Sequence, residues 1–270
     1  MSVTLRLAEI NVYPLKGARG IACDRADVLA GGLRHDRRFM VVDAGGLFLT
    51  QREHPRLALL TTALRGTSLA LGVPGGAELA IPLAPVGPRR RVRVFDDEMN
   101  AIDVPGEAAA QLSSYLGEPC ALVFMPDDVV RPLPAPYGAP GDRVGFADGY
   151  PLLLASRASL AELNARLAVP VPMDRFRPNL VVEGGAAFDE DLHDHVKIGA
   201  VVFRMPKRCA RCPVTTVDQA TAEVSKEPLR TLATYRSVSN KVYFAQNLIP
   251  DADGTIAVGD EVGYFGRVAR

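Results

Sequence analysis

The stretch KRCARCPVTTVDQ, Lys207 to Gln219, sets two thiols three positions apart among three cations, ahead of a run of β-branched residues. Three chemistries use such a pattern: half of a zinc site, a dithiol redox pair, or one ligating cysteine with a bystander. A structural zinc takes four nitrogen or sulfur ligands. No second CxxC occurs, and Cys23 and Cys120 stand alone. His193 and His195, in LHDHV, would complete a site only as an H-x-H pair, and two partly exposed histidines beside a turn are the simpler reading. A thioredoxin-like dithiol opens a helix, whose N-terminal dipole favours the thiolate. Here Pro213 and the residues after it favour a strand or loop, so an extended continuation after Cys212 is expected. Lys207, Arg208 and Arg211 are suited to attracting a phosphate or another anion.

Working outward, the chain reads as mostly strand. AEINVYPL and RFMVVDAGGLFLT combine apolar and β-branched residues, the second with a hairpin signal in AGG. HPRLALLTTALRGTSLALGVP repeats the pattern around RGTS, and AELAIPLAPVGPRRRVRVF reads as short strands broken by Pro and Gly. In the second half DRFRPNLVVEGG, VKIGAVVFRMP, CPVTTVD, KVYFAQNLIP and GTIAVGDEVGYFG read as short strands between turns, which favours a barrel or sandwich. Helices are few. PGEAAAQLSSYLG runs from Pro to Gly around helix formers, SRASLAELNARLA offers Ser156 as an N-cap, and EPLRTLATYR is a third candidate in which Lys226 and Glu227 mark a helix start. The Pro-, Gly- and Asp-rich segment from Met125 to Pro151 is a linker or a long functional loop, and the expected division is 1–124 and 125–270.

The 270 residues suffice for one large domain or two ordinary ones, and 48% hydrophobic with 23% charged residues is the balance of a globular protein. Lys+Arg and Asp+Glu both number 31, which argues against a general nucleic-acid binder. No apolar run reaches the length of a membrane span, and the first residues lack a signal peptide's apolar core. A cytoplasmic location is expected, with four cysteines free or metal-bound in a reducing compartment.

KRCARCPVTTVDQATAEVSKEPLRTLATYR resembles the signature of MOSC-domain molybdenum-cofactor proteins, in the branch of the mitochondrial amidoxime-reducing component and its bacterial relatives. INVYPLKGARG and GLRHDRRFMVVDAGGLFLTQREHPRLALL resemble that family's N-terminal β-barrel-like domain. FADGYPLLLASRASLAELNARL, FRPNLVVEG and GTIAVGDEV resemble the MOSC domain itself. The fold implied is mainly β (α+β): a MOSC β-barrel with a smaller β-rich N-terminal domain and a few short helices.

The resemblance implies a molybdenum cofactor, with Cys212 as the metal ligand and catalytic cysteine. It implies a cofactor cradle from Lys16, Arg37, Arg177 and Asn179, to which Arg211, Gly149 and Tyr150 are added by position in the matching blocks. One soft thiolate leaves room for a pterin dithiolene, and Arg is suited to bidentate contact with the pterin's phosphate. Relatives often carry Ser after the lysine, where this chain has Gly17, and hydroxyl residues where it has Gly149 and Tyr150. Backbone N–H groups near the glycines are the expected substitutes. Cys209 is left outside the ligand set, Asp218 is expected to support a turn, and Tyr235 and Arg236 are candidates for a substrate mouth.

The activity implied is reduction of N-hydroxylated or related N- or S-oxygenated small molecules. Electrons would come from a separate electron-transfer protein, since no iron–sulfur cysteine cluster occurs in the chain. A family-level association with pyridoxal phosphate binding comes with the resemblance alone. The alternatives are a non-catalytic carrier of cofactor or sulfur, and an interaction module without cofactor.

Overall fold

The computed structural model describes residues 4–133 and 135–267. Its centre is a seven-stranded closed barrel. In spatial order the strands are Leu152–Ser156, Leu180–Glu183, Leu5–Val12, Glu261–Phe265, His195–Ile198, Val201–Arg204 and Lys241–Pro250, which pairs back onto Leu152–Ser156. Closure leaves none of these strands with a free edge along its whole length. Alternate residues point inward: Leu7, Ile10, Leu152, Leu154, Leu180, Val182, Val196, Ile198, Phe203 and Leu248 form one buried cluster. The pair Leu152–Ser156 and Leu180–Glu183 is parallel, so it needs a crossover. Helix α2, Arg157–Asn164, is in that crossover, and Ser156 caps it by accepting from the N–H groups of Ala158 and Ser159.

The first strand of the chain lies in the middle of this barrel, between strands whose residues come about 170 and 250 positions later. A bulge between Leu7 and Glu9 resets its register. Arg25–Leu29 likewise pairs with Gly254–Ala257. Residues on both sides of the expected division at 124/125 therefore share sheets.

Residues 39–124 build the second body. A four-stranded sheet orders Phe39–Asp43, Cys120–Phe124, Asp97–Asp103 and Arg89–Val94, and a three-stranded meander holds Thr61–Arg65, Ser68–Gly72 and Leu79–Pro82. Helix α1, Ala108–Leu116, buries Ala108, Leu112 and Tyr115 in the shared core and ends at Gly117, whose φ of 83° is the left-handed conformation of a helix stop. The third expected helix is the short α3, Leu229–Ala233, and the Glu227 carboxylate accepts from the Thr231 N–H at its start.

Three strand expectations fail. HPRLALL opens with a 3-10 turn, Pro55–Leu59, and RFRPN with another, Met173–Phe176. After Cys212 the chain also turns, as a 3-10 helix over Pro213–Thr216. Pro213 presets φ for the turn, and the Thr215 and Thr216 hydroxyls donate back to the carbonyls of Cys212 and Pro213. These local bonds outcompete the β preference of the threonines. The segment from Met125 to Pro151 carries no named helix or strand among the described residues, as its composition implies.

Candidate functional site

Between the barrel and the second body lies a cleft with about 890 Å³ of empty space. Seven segments meet there: the chain after the first barrel strand, the turn at Arg37, Phe48–Arg52, residues 147–153, Phe176–Asn179, the cysteine loop, and Asn247 on the strand Lys241–Pro250. Lys16, Arg37, Gly149, Tyr150, Arg177, Asn179, Arg211 and Cys212 all line it. Residues as far apart in the chain as Lys16 and Cys212 thus line one cleft.

The cations are held in different ways. Lys16 is buried and donates to the Phe146 carbonyl at 2.8 Å and to the Asp148 carboxylate. Burial pulls the Lys16 ammonium below its usual range, with Asp148 opposing the shift. Burial works against the Asp148 charge too, but Lys16 beside it holds that carboxyl below its ordinary range. Arg37 and Arg177 both sit in the left-handed region, at φ 47° and 54°, a conformation uncommon for residues with a side chain. Their guanidinium groups stack on the Tyr13 ring at 4.2 and 4.5 Å. Tyr13 is fixed by its own hydroxyl, which donates to the Pro178 carbonyl at 3.1 Å. Burial pushes the Tyr13 hydroxyl up to about 12 and pulls Arg177 down to about 10.

Asn179 is the hub of the floor. Its amide oxygen accepts from Arg37 at 2.9 Å and from the Leu153 N–H at 3.2 Å, and its amide nitrogen donates to the Asn11 carbonyl and to Asp36. All its strong hydrogen-bonding positions are taken up by protein, so Asn179 orients Arg37. Asp36, buried behind it, accepts from the Tyr13 N–H, Asn179 and Arg37. Burial raises its carboxyl above the ordinary range, with Arg37 and these hydrogen bonds opposing.

The cysteine loop brings both thiols to the cleft. Arg211 donates to the Cys209 sulfur at 3.0 Å and to the Phe176 carbonyl at 2.8 Å. Cys209 also packs against the cluster around Phe176 and Phe244, while the Cys212 sulfur has no hydrogen-bond partner among the described residues. Two buried polar atoms on the lining lack partners: the Arg211 Nε and the Tyr150 hydroxyl, which burial pushes up to about 12. Nor do the backbone N–H groups of Gly17, Asp148, Gly149 and Tyr150 find a backbone partner among the described residues. A side-chain methyl at Gly149 would meet nothing within 4 Å, so the cleft is open there. Five cations, Lys16, Arg37, Arg52, Arg177 and Arg211, face one carboxylate, Asp148. Unsatisfied donors with net positive charge suit the cleft to an anion, and the half-buried Cys212 thiol adds one soft donor beside them.

Other sequence candidates fall elsewhere. His193 lies against the Gly266 carbonyl and stacks on Tyr264, and His195 lies beside Asp194; no cluster of three or more His, Cys, Asp or Glu suited to a metal occurs among the described residues. Asp218 supports its turn, accepting from the N–H groups of Ala220 and Thr221, and also accepts from Arg175. Tyr235 and Arg236 do not line the cleft, because the tyrosine donates to Glu162 and the arginine is bound to Asp191.

The sequence reading missed Gln51 and Gln219. They pair amide to amide, both bonds 3.0 Å, and are almost wholly buried. Gln51 also donates to the Gly17 carbonyl, Gln219 to that of Val217, and Arg177 donates to the Gln219 amide oxygen. This latch joins the lysine turn, Arg177 and the cysteine loop. Glutamine alone in a sequence carries no sign of such a partner; only QR after a strand and Q after TTVD would have drawn the eye.

Comparison with known families matches residues 4–119 to the MOSC N-terminal beta barrel domain and residues 141–263 to the MOSC domain. The chain belongs to the MOSC family. This MOSC chain is 34% identical to mitochondrial amidoxime-reducing component 1 of Homo sapiens, over 97% of its own length and 83% of that protein. It is 34% identical to component 1 of Xenopus laevis, over 95% and 81%, and 32% identical to mitochondrial amidoxime reducing component 2 of Homo sapiens, over 95% and 82%. No helix among the described residues of the MOSC chain is long and apolar enough to cross a membrane.

Proposed function

We propose that this protein is a molybdenum-cofactor-dependent reductase of N-hydroxylated or related N- or S-oxygenated small molecules, supplied with electrons by a separate protein. One observation carries the proposal: the Cys212 thiol shares a cleft with Lys16, Arg37, Arg177 and Arg211, beside the orphaned Tyr150 hydroxyl and Arg211 Nε. The donor set suits the cofactor, with a soft sulfur for the metal and forked cations for a phosphate. When bound, the cofactor supplies a two-electron centre for removing oxygen from an N–O group.

The chain's own residues do the rest. Cys212 presents its sulfur from the capping position of a 3-10 turn. Arg177 and Arg37, held on Tyr13 and by Asn179, offer fixed positive charge with little freedom left to lose on binding. Lys16 and Asp148 form a paired cation and carboxylate at the cleft wall. A cytoplasmic location belongs to the same proposal, as does a division of the sequence into 1–124 and 125–270, across which Leu5–Val12 and Arg25–Leu29 pair with strands of the second part. The names of the amidoxime-reducing relatives favour the reductase over a carrier.

The test is metal and pterin analysis of protein made in a host competent for cofactor synthesis, followed by reductant-driven turnover of benzamidoxime. Molybdenum and pterin with turnover are expected. Arg37→Ala and Arg177→Ala should lower pterin content. Bound cofactor without turnover would favour the carrier, and zinc in place of molybdenum would overturn both.

A further inference from the structure

A second cavity, with about 1020 Å³ of empty space, lies behind the turn that carries Arg37. Arg37 faces the first cleft, while its neighbours Asp36 and Arg38 line the second. Its lining combines four basic groups, Arg34, His35, Arg38 and Arg143, with two carboxylates, Asp36 and Asp127, of which the first is engaged by Arg37 and Asn179 and the second by Arg38. Leu33, Phe124, Met125 and Val129 add apolar surface.

The basic groups have donors to spare. Arg34 meets Asp27 through its Nε. Arg38 uses Nε and Nη2 on the Met125 carbonyl and Asp127, and its guanidinium lies 5.0 Å from the centre of the Phe124 ring. The outer nitrogens of Arg34 and the Nη1 of Arg38 bond no group among the described residues, and Arg143 meets no carboxylate there. His35 differs from the other histidines. His54 meets Glu118, His193 the Gly266 carbonyl and His195 Asp194, whereas neither ring nitrogen of the half-buried His35 has a partner among the described residues. Its φ of 69° is left-handed, a strained conformation that the fold maintains. Gly32 fixes the same turn close to the barrel, since a methyl there would lie 2.7 Å from the Pro151 carbonyl oxygen.

From this geometry we propose that the cavity lined by Arg34, His35, Arg38 and Arg143 binds a small organic anion, with its oxyanion head on the guanidinium and imidazole groups and its apolar body on Phe124, Met125 and Val129. Forked N–H donors match a carboxylate or phosphate, and an apolar wall adds affinity for the body behind it. Burial and the Arg34 and Arg38 charges hold the His35 imidazole below its usual range, with only Asp27 opposing. An anion on these groups favours the imidazolium, so binding tightens as pH falls through the histidine range. The site is separate from the proposed cofactor cleft.

The experiment titrates the protein with benzoate and with phenyl phosphate, following the His35 ring signals by NMR. Inorganic phosphate tests the head alone and benzyl alcohol the body alone. Saturable binding of benzoate or phenyl phosphate is expected, with the His35 pKa raised at saturation. Arg143→Ala, at an exposed position outside every core cluster, should weaken it about tenfold or more. Arg177→Ala, in the first cleft, should leave it unchanged. The proposal is overturned if no titration saturates, if Arg143→Ala binds as well as the parent, if Arg177→Ala abolishes binding, or if inorganic phosphate or benzyl alcohol binds as tightly as the two-part probes.

Discussion

Relative to the parent, Glu190→Gln should gain about 3 kcal/mol of stability as pH rises from 4 to 8. Glu190 is 1% exposed, within the turn Asp189–Leu192. One carboxyl oxygen accepts from the Ser159 hydroxyl at 2.6 Å, and the other is buried with no partner. Burial raises its pKa from 4.5 to about 7, with the Ser159 hydrogen bond opposing. The folded state therefore holds its proton more tightly than the unfolded chain does. Stability from this group is intact below about pH 4.5 and falls as pH rises to about 7, above which both states are ionised. The shift corresponds to about 3 kcal/mol in all. Glutamine mimics the protonated acid and cannot titrate. Its extra N–H adds an offset that does not vary with pH, so the slope of the difference is the readout. Urea unfolding of both proteins from pH 4 to pH 8 gives that slope. A difference in stability that stays constant within about 0.5 kcal/mol across this range would refute the reasoning.

Further outcomes follow from the cleft. Cys212→Ser replaces a soft thiolate with a poor ligand, so it should abolish turnover and change the metal spectrum while much of the pterin stays bound; Cys209→Ser should retain the metal. Equal metal loss in both variants would restore the reading of Cys209 and Cys212 as a shared site. Gln219→Ala leaves the buried Gln51 amide oxygen without a partner and frees Arg177, so chemical denaturation should show a loss of about 2 kcal/mol, and pterin should dissociate faster. Wild-type stability in that variant would mean that the amide pair contributes nothing to holding the cleft.

The sequence by itself determined what depends on neighbours a few residues away. Ser156 caps its helix, Gly117 ends another, and the hairpin at Gly199 and the turn at Gly66 follow from residues that favour those dihedrals. The MOSC family was legible too, since short motifs carry it even when they lie far apart, and the residues named in those motifs line one cleft. What only the tertiary structure decided is where partners come from across the chain. Nothing in LRLAEINV tells that it will sit between strands from the far half, or that Leu152–Ser156 will close the barrel on Leu248. The turn after Cys212 went against the β preference of its threonines because their hydroxyls found backbone acceptors three residues back. Asn179 was legible as a cleft residue, but its role was not. Its amide holds Arg37, Asp36, Asn11 and Leu153 together, and a hydrogen bond between residues 168 positions apart leaves no periodic trace in the sequence for pattern reasoning to find.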